Sequence, residues 1–192
     1  MARTKSSSKP SARDRIMQAA ADLFYREGVQ NVGIDRVIAE SGVAKMSLYN
    51  NFKSKDALIA AWLQQRDANW REWFQKTVEK QATDPAQRLI AMFDALEEWF
   101  SQSDFRGCAF INSSVELVDP EHPGYQVAIE HQQAMFDYIL QLVNAANIAN
   151  PDTVAEQLLL LVEGSIVVAM MRRNPAAATH AKAAATTLIQ AA

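Results

Sequence analysis

The apolar residues of this 192-residue chain recur at helical spacing along most of its length, and its six glycines and six prolines fall mostly between the segments that do so. No stretch alternates apolar and polar residues over the length of a strand with hairpin turn signals on either side. The pattern therefore predicts an all-α fold. Ser11 reads as an N-cap, with Asp14 completing a short capping box. Ile16, Ala20, Leu23 and Phe24 follow at helical spacing until Gly28, which suits a left-handed C-terminal stop. A second, short helix carries Ile34, Val37 and Ile38 on one face and ends at Ser41 and Gly42. A third covers about 44–51, with Leu48 inward and Phe52 just after it. Only Ser41, Gly42 and Val43 separate the second from the third, the spacing of a helix-turn-helix in which the second helix is presented outward.

From Lys55 the helices lengthen. Helices are expected over 55–81, from Asp84-Pro85 to about 102, over 109–117 and over 125–147. Two more start at Asn150-Pro151 and Asn174-Pro175, where a capping side chain precedes a proline suited to the first turn. Residues 119–124 read as a loop. The expectation is three small helices over residues 1–54, preceded by a polar N-terminal arm, and a six-helix bundle over 55–192.

A chain of this length can bury about 70% of its unfolded surface, so it needs neither disulfides nor structural metal to fold. Its 49% hydrophobic and 21% charged residues argue against global disorder. The single cysteine, Cys108, excludes an internally bridged secreted framework. The nearest approach to a membrane span, 158–171, is interrupted by Glu163, Gly164 and Ser165, and the basic N-terminus is not followed by the apolar core of a signal peptide. A cytoplasmic protein without membrane partners is expected. The net charge of −3 conceals an asymmetry: residues 1–60 hold ten Lys/Arg against six Asp/Glu, and residues 61–192 nine against sixteen. A basic front end on an acidic body suits contact with a polyanion through one segment alone.

The segment that carries this contact is 42–58. Leu48 points inward, while Lys45, Met46, Ser47, Tyr49 and Asn50 point outward, and Lys53 and Lys55 follow at the end of the helix. A helix of this size fits the major groove of B-DNA, and lysines at its rim neutralise phosphates and fix register.

Residues 12–58 resemble the DNA-binding domain of the tetracycline-repressor (TetR) family of bacterial transcription regulators. The resemblance rests on Ile16, Ala19, Ala20, Leu23, Phe24 and Gly28, then Ile34, Ile38, Ala39, Gly42 and Val43, and most specifically on Leu48-Tyr49-x-x-Phe52-x-x-Lys55-x-x-Leu58. It implies a homodimer that binds a palindromic operator in double-stranded DNA and is released by a small-molecule effector held in the C-terminal bundle. By matching position, Lys45, Met46 and Ser47 are candidates for base contacts, Tyr49, Lys53 and Lys55 for phosphate, and Asn50 joins them on the outward face. Two positions depart from the family pattern: Gly33 and Ala44 stand where Thr or Ser usually caps the second and third helices. The basic residues Arg3, Lys5 and Lys9 read as a disordered tail in preference to a minor-groove arm.

The resemblance places the dimer surface on the last two helices, about 151–173 and 175–191. The first carries Val154, Leu158, Leu161, Val162, Ile166, Ala169 and Met170. It also implies an effector pocket among the middle helices. Candidate lining residues are Trp62, Arg66, Trp70, Phe93, Cys108, Phe110, Asn112, Glu116 and His131, with Gln132 as a further polar candidate. The run Gly107-Cys108-x-Phe110-x-Asn112 resembles an element of one branch of the family. Cys108 at the start of a short helix, where the dipole would lower a thiol pKa, leaves a redox- or electrophile-sensing repressor open against a buried inert cysteine. No cofactor, metal site or catalytic motif is expected, since Asp119, Glu121, His122 and His131 lack zinc spacing. A small-molecule-binding or enzymatic helical bundle, and an architectural DNA binder without effector, remain the competing classes.

Overall fold

The computed structural model describes residues 10–192, so the expected basic arm with Arg3, Lys5 and Lys9 lies outside the described residues. Among the described residues there are nine helices and no strand. In chain order they are α1 (Ala12–Glu27), α2 (Ile34–Ser41), α3 (Lys45–Phe52), α4 (Lys55–Gln81), α5 (Pro85–Phe100), α6 (Ala109–Leu117), α7 (Pro123–Ala145), α8 (Pro151–Arg172) and α9 (Ala176–Ala191).

Local chemistry accounts for most boundaries. The Ser11 hydroxyl accepts from Asp14 N at 3.1 Å, and the Asp14 carboxylate accepts from Ser11 N at 3.1 Å, the reciprocal pair of a capping box. Gly42 closes α2 in the left-handed region at φ 62, donating to the Ile38 carbonyl. Gly33 and Ala44 sit at the N-caps of α2 and α3 with no side-chain hydrogen bond, as the sequence implied. Two boundaries differ from expectation. Phe52 is the last residue of α3, not the one after it. α7 starts at Pro123 because the His122 imidazole accepts from Gly124 N at 3.0 Å and caps it, a role that residue type seldom signals.

α1, α2 and α3 pack through Ile16, Ala20, Leu23, Val37, Leu48 and Phe52, all buried. α4 serves both halves. Its first turns bring Leu58 and Trp62 to α1, with the Trp62 ring 5.5 Å from Phe24, and its last turns sink Phe74 and Val78 into the bundle. α5 is enclosed by α4, α7, α8 and α9. Its buried series Leu89, Met92, Phe93, Leu96, Trp99 and Phe100 follows from that placement.

The face of α8 differs from the expected one. Val154, Leu158, Val162, Ile166 and Ala169 are buried within the chain, so most of the stripe expected at a dimer surface is intramolecular core against α7 and α9. The open apolar face consists of Leu160, Gly164, Val168 and Met171, at helical spacing, with Leu160 67% and Met171 76% exposed. By length and composition α8 is also apolar enough to cross a membrane, with mean hydropathy 1.8 over an 18-residue window. The expectation that no such run exists is corrected to that extent. Only 39% of that window is buried, which reflects the same open face.

Candidate nucleic-acid interface and ligand cavity

The turn Ser41-Gly42-Val43 is held from outside by Arg15, whose guanidinium donates to the Ser41 carbonyl at 3.4 Å and the Gly42 carbonyl at 3.3 Å. Sequence reasoning missed this role, because nothing in the local pattern separates Arg15 from any solvated helix arginine. Leu48 and Phe52 anchor α3 inward, and the Arg13 guanidinium lies 4.9 Å over the Phe52 ring. Outward, the structure brings Lys45, Met46, Tyr49 and Asn50 onto one open surface, with Ser47 half-buried beside them. Met46 is 67% exposed, a large apolar side chain left open by the described residues.

The lysines differ in availability. Lys45 Nζ lies 3.1 Å from Asp35 Oδ1, and this hydrogen bond holds its ammonium above the usual lysine range. Because both partners are exposed, the pair is loose enough to exchange for a phosphate. Lys53 is exposed at the C-cap of α3 with φ 60, and Ser54 N bonds the Phe52 carbonyl around it at 2.6 Å, a tight γ-turn that a side-chain-bearing residue adopts at a cost. Lys55 is half-buried, and its Nζ lies 3.5 Å from the Gln30 carbonyl, so it braces the α1–α2 turn more than it projects outward.

A cavity of about 200 Å³ opens between α6, α7 and α8, with Trp70 of α4 at its wall. Of the expected lining residues it takes Trp70, Cys108, Phe110, His131 and Gln132. The Phe110 and His131 rings stack at 3.7 Å, and Trp70 meets His131 edge-on. His131 Nδ1 lies 2.7 Å from Asp67 Oδ1, and Arg71 donates two hydrogen bonds to the same carboxylate. Burial pushes the Asp67 carboxyl up, but hydrogen bonds from His131 and Arg71 outweigh it and hold it at about 2. Burial also holds His131 below its usual range, so a neutral ring with its proton on Nδ1 donates to an ionised Asp67. Trp62 and Arg66 line instead a wider cleft of about 690 Å³ between α1, α4 and the end of α5, which Trp70 also reaches.

Three expected lining residues face neither space. Phe93 is packed in the bundle core. Asn112 donates to the Arg106 carbonyl at 3.0 Å and ties down the loop before α6. Glu116 reaches the DNA-side domain, accepting from Gln30 N at 2.8 Å. The expected thiol activation is also overturned, since burial pushes Cys108 up to about 11 and the backbone N–H groups of Ile111 and Phe110 offset only part of that. Sequence reasoning missed Glu163 as a lining residue, reading it as an interruption of an apolar run.

α6 joins the cavity to the three-helix domain at both ends. Before its first turn, the Tyr25 hydroxyl of α1 donates to the Gly107 carbonyl at 2.9 Å and accepts from Arg106 N at 2.9 Å. Arg66 lies 3.8 Å over the same Tyr25 ring. Near its last turn, Glu116 binds Gln30 N, with its carboxylate against Gly28. Gly28 has φ 89, which favours glycine, and a Cβ there would fall 2.8 Å from Glu116 Oε1 and displace the carboxylate that binds Gln30 N.

The family model described as bacterial regulatory proteins, tetR family, matches residues 16–62, and that described as tetracyclin repressor-like, C-terminal domain, matches residues 85–185. The HTH-type transcriptional regulator YjdC of Escherichia coli is 24% identical over 154 residues, 80% of this chain and 81% of that protein. A solved TetR-family transcriptional regulator from Streptomyces coelicolor superposes with a TM-score of 0.86 at 27% identity, over 93% of this chain and 94% of its own. A solved tetr-type transcriptional regulator from Streptomyces avermitilis gives 0.85 at 30% identity, over 95% and 98%.

Proposed function

The chain belongs to the TetR family of bacterial transcriptional regulators, and on that premise we propose that it is a repressor that binds a palindromic operator as a homodimer and is released by a small molecule in the α6–α7–α8 cavity. The observation that carries the DNA reading is the open face of α3. Lys45, Met46, Tyr49 and Asn50 stand on a helix whose inner residues Leu48 and Phe52 lock it to α1 and α4 behind a left-handed Gly42 turn. Met46 and Asn50 are suited to base edges, and Tyr49, Lys53 and Lys45 to phosphate. Residues 1–54 serve DNA, and 55–192 serve ligand and dimer.

The homodimer reading draws on the open stripe of α8. Leu160, Gly164, Val168 and Met171 are apolar, contiguous and uncovered, with a glycine at the centre where two helices can approach closely. A two-fold pair presents two recognition helices to half-sites roughly 34–36 Å apart. Release is a population shift: ligand favours a dimer conformation in which those helices no longer match successive grooves. α6 is suited to carry it, since Cys108, Phe110 and Ser114 wall the cavity while Gly107 and Glu116 hold α1 and the α1–α2 turn. The protein acts in the cytoplasm, where its operator is.

Selection of bound fragments from a random DNA library, followed by titration at two salt concentrations, tests this reading. A palindromic consensus with a steep salt slope is expected. Weak binding without sequence preference would remove the specific-regulator function and favour an architectural binder.

A further inference from the structure

The cavity between α6, α7 and α8 has an unbalanced set of polar groups. The charged side chain that faces it is Glu163, and among the described residues no Lys or Arg lines it. Among the described residues Glu163 has no ion-pair partner within 4.0 Å. Burial pushes its carboxyl up, partly offset by Gln132. Burial holds His131 below its usual range against the opposing pull of Asp67, and its Nδ1 is directed at Asp67, away from a ligand. Two further lining residues carry buried polar atoms without hydrogen-bond partners, the acceptor Gln132 Oε1 and the donor Trp70 Nε1. Leaving such atoms unpaired is costly, so a ligand that pairs them binds more tightly than one that does not.

We propose that the effector is a small, single-ring organic amine bound as a monocation, with Glu163 as its counter-ion. The inference rests on the reading of this cavity as the effector site. A cationic nitrogen satisfies Glu163 and donates to Gln132 Oε1, while an ether, hydroxyl or carbonyl oxygen elsewhere on the molecule accepts from Trp70 Nε1. The ring lies against Phe110, Tyr125 and His131, whose faces favour an adjacent cation. A volume of about 200 Å³ suits one ring with short substituents. A carboxylate is disfavoured, because it would bring a second negative charge beside Glu163, and the nearest cation, Arg66, lines the adjoining pockets and not this one.

Three isosteric probes separate the charge classes: 4-methoxybenzylamine, 4-methoxybenzyl alcohol and 4-methoxybenzoate, titrated calorimetrically into the full-length protein and into Glu163→Gln. The amine is expected to bind the wild-type protein about ten-fold or more tightly than the benzoate, with the alcohol between them, and the preference to fall to about two-fold in Glu163→Gln. Equal or tighter binding of the benzoate, no binding of the amine at millimolar concentration, or an undiminished preference in Glu163→Gln would each overturn the proposal. The same samples are scored for release of the selected operator. Glu163-dependent amine binding without release supports the ligand class but removes the cavity's regulatory role. Specific operator binding with no amine preference keeps the regulator and removes the class.

Discussion

The α1–α3 domain and the bundle bury apolar residues by the same rules but leave different things unburied. In the small domain Ile16, Leu23, Phe24, Leu48 and Phe52 are covered and Ile34 and Ile38 partly so, and what remains open is a polar and cationic helix face interrupted by Met46. In the bundle an apolar stripe on α8 is open, while unpaired polar atoms lie inside, on Trp70, Gln132 and Tyr138. One region is finished internally and incomplete at its surface, as suits a rigid reader of an external polymer. The other is incomplete in two places, an outer face that suits a second copy and an inner space that suits a small molecule. The contrast depends on the two regions being separable in stability yet coupled in geometry, and both conditions can be broken experimentally.

The largest effect is expected from Leu48→Ala. Leu48 is fully buried in an eight-residue helix, so the truncation is expected to cost about 2–5 kcal/mol and abolish operator binding. All four tryptophans lie in α4 and α5, so their fluorescence reports chiefly on the bundle. Their unfolding midpoint in urea is expected to change little. An equal drop in that midpoint would mean that the two regions unfold as one unit through α4.

Coupling is addressed next by Tyr25→Phe and Glu116→Ala, which remove the two side-chain attachments of α6 to the DNA side. Each hydrogen bond is worth about 0.5–3 kcal/mol, the carboxylate one at the upper end. Operator affinity without effector is expected to stay within about three-fold of the wild type. The effector concentration needed for release should rise several-fold in each variant and further in the double variant. Unchanged release in the double variant would leave α4, through Asp67 and His131, as the route between the halves.

Legibility followed the same divide. The helix-turn-helix could be read because its determinants are local: Gly42 fixes the turn, Leu48 and Phe52 fix the inner face, and the outward residues follow from a period of 3.6. The bundle's helices were legible for the same reason, with Asp84 and Pro85 marking the start of α5. The cavity was not, because its wall is assembled from α4, α6, α7 and α8, and no spacing along one helix tells which side chains meet across four. Thus Glu116 and Asn112, polar residues on a helix that does wall the cavity, point to Gln30 and Arg106. Glu163, which interrupts an apolar run, is the charge that faces the cavity. The α8 stripe failed similarly. Its apolar residues run almost all round, so the amphipathic pattern cannot distinguish the intramolecular face from the open one.

A smaller, paired effect comes from two strained turns. Lys53 and Val118 have φ 60 and 59, each closing a helix with a γ-turn, and Val118 is a β-branched residue in that region. Replacing either by glycine is expected to raise stability by about 1 kcal/mol. Val118→Gly should leave DNA binding unchanged, since that residue lies at the end of α6. Lys53→Gly should lower affinity on all sequences and flatten the salt slope by about one. Equal DNA affinities for the two variants would take Lys53 off the phosphate surface.

The smallest effect is expected at Cys108. A thiol pushed up to about 11 carries about one thiolate in ten thousand at pH 7, and the thiolate is the form that oxidants and electrophiles attack. The start of α6 does not rescue it, because burial outweighs the backbone N–H groups of Ile111 and Phe110. Cys108→Ser is therefore expected to leave operator release by peroxide, quinones and aldehydes unchanged within about two-fold, as measured by DNA-binding titration. A serine in the cavity wall keeps the shape and changes only the chemistry, so the comparison isolates reactivity from packing. If the variant lost a response that the wild type shows, the thiol would have to become exposed through motion of α6. The attachments at Tyr25 and Glu116 would then act as a latch on that motion, and Tyr25→Phe should make Cys108 react faster.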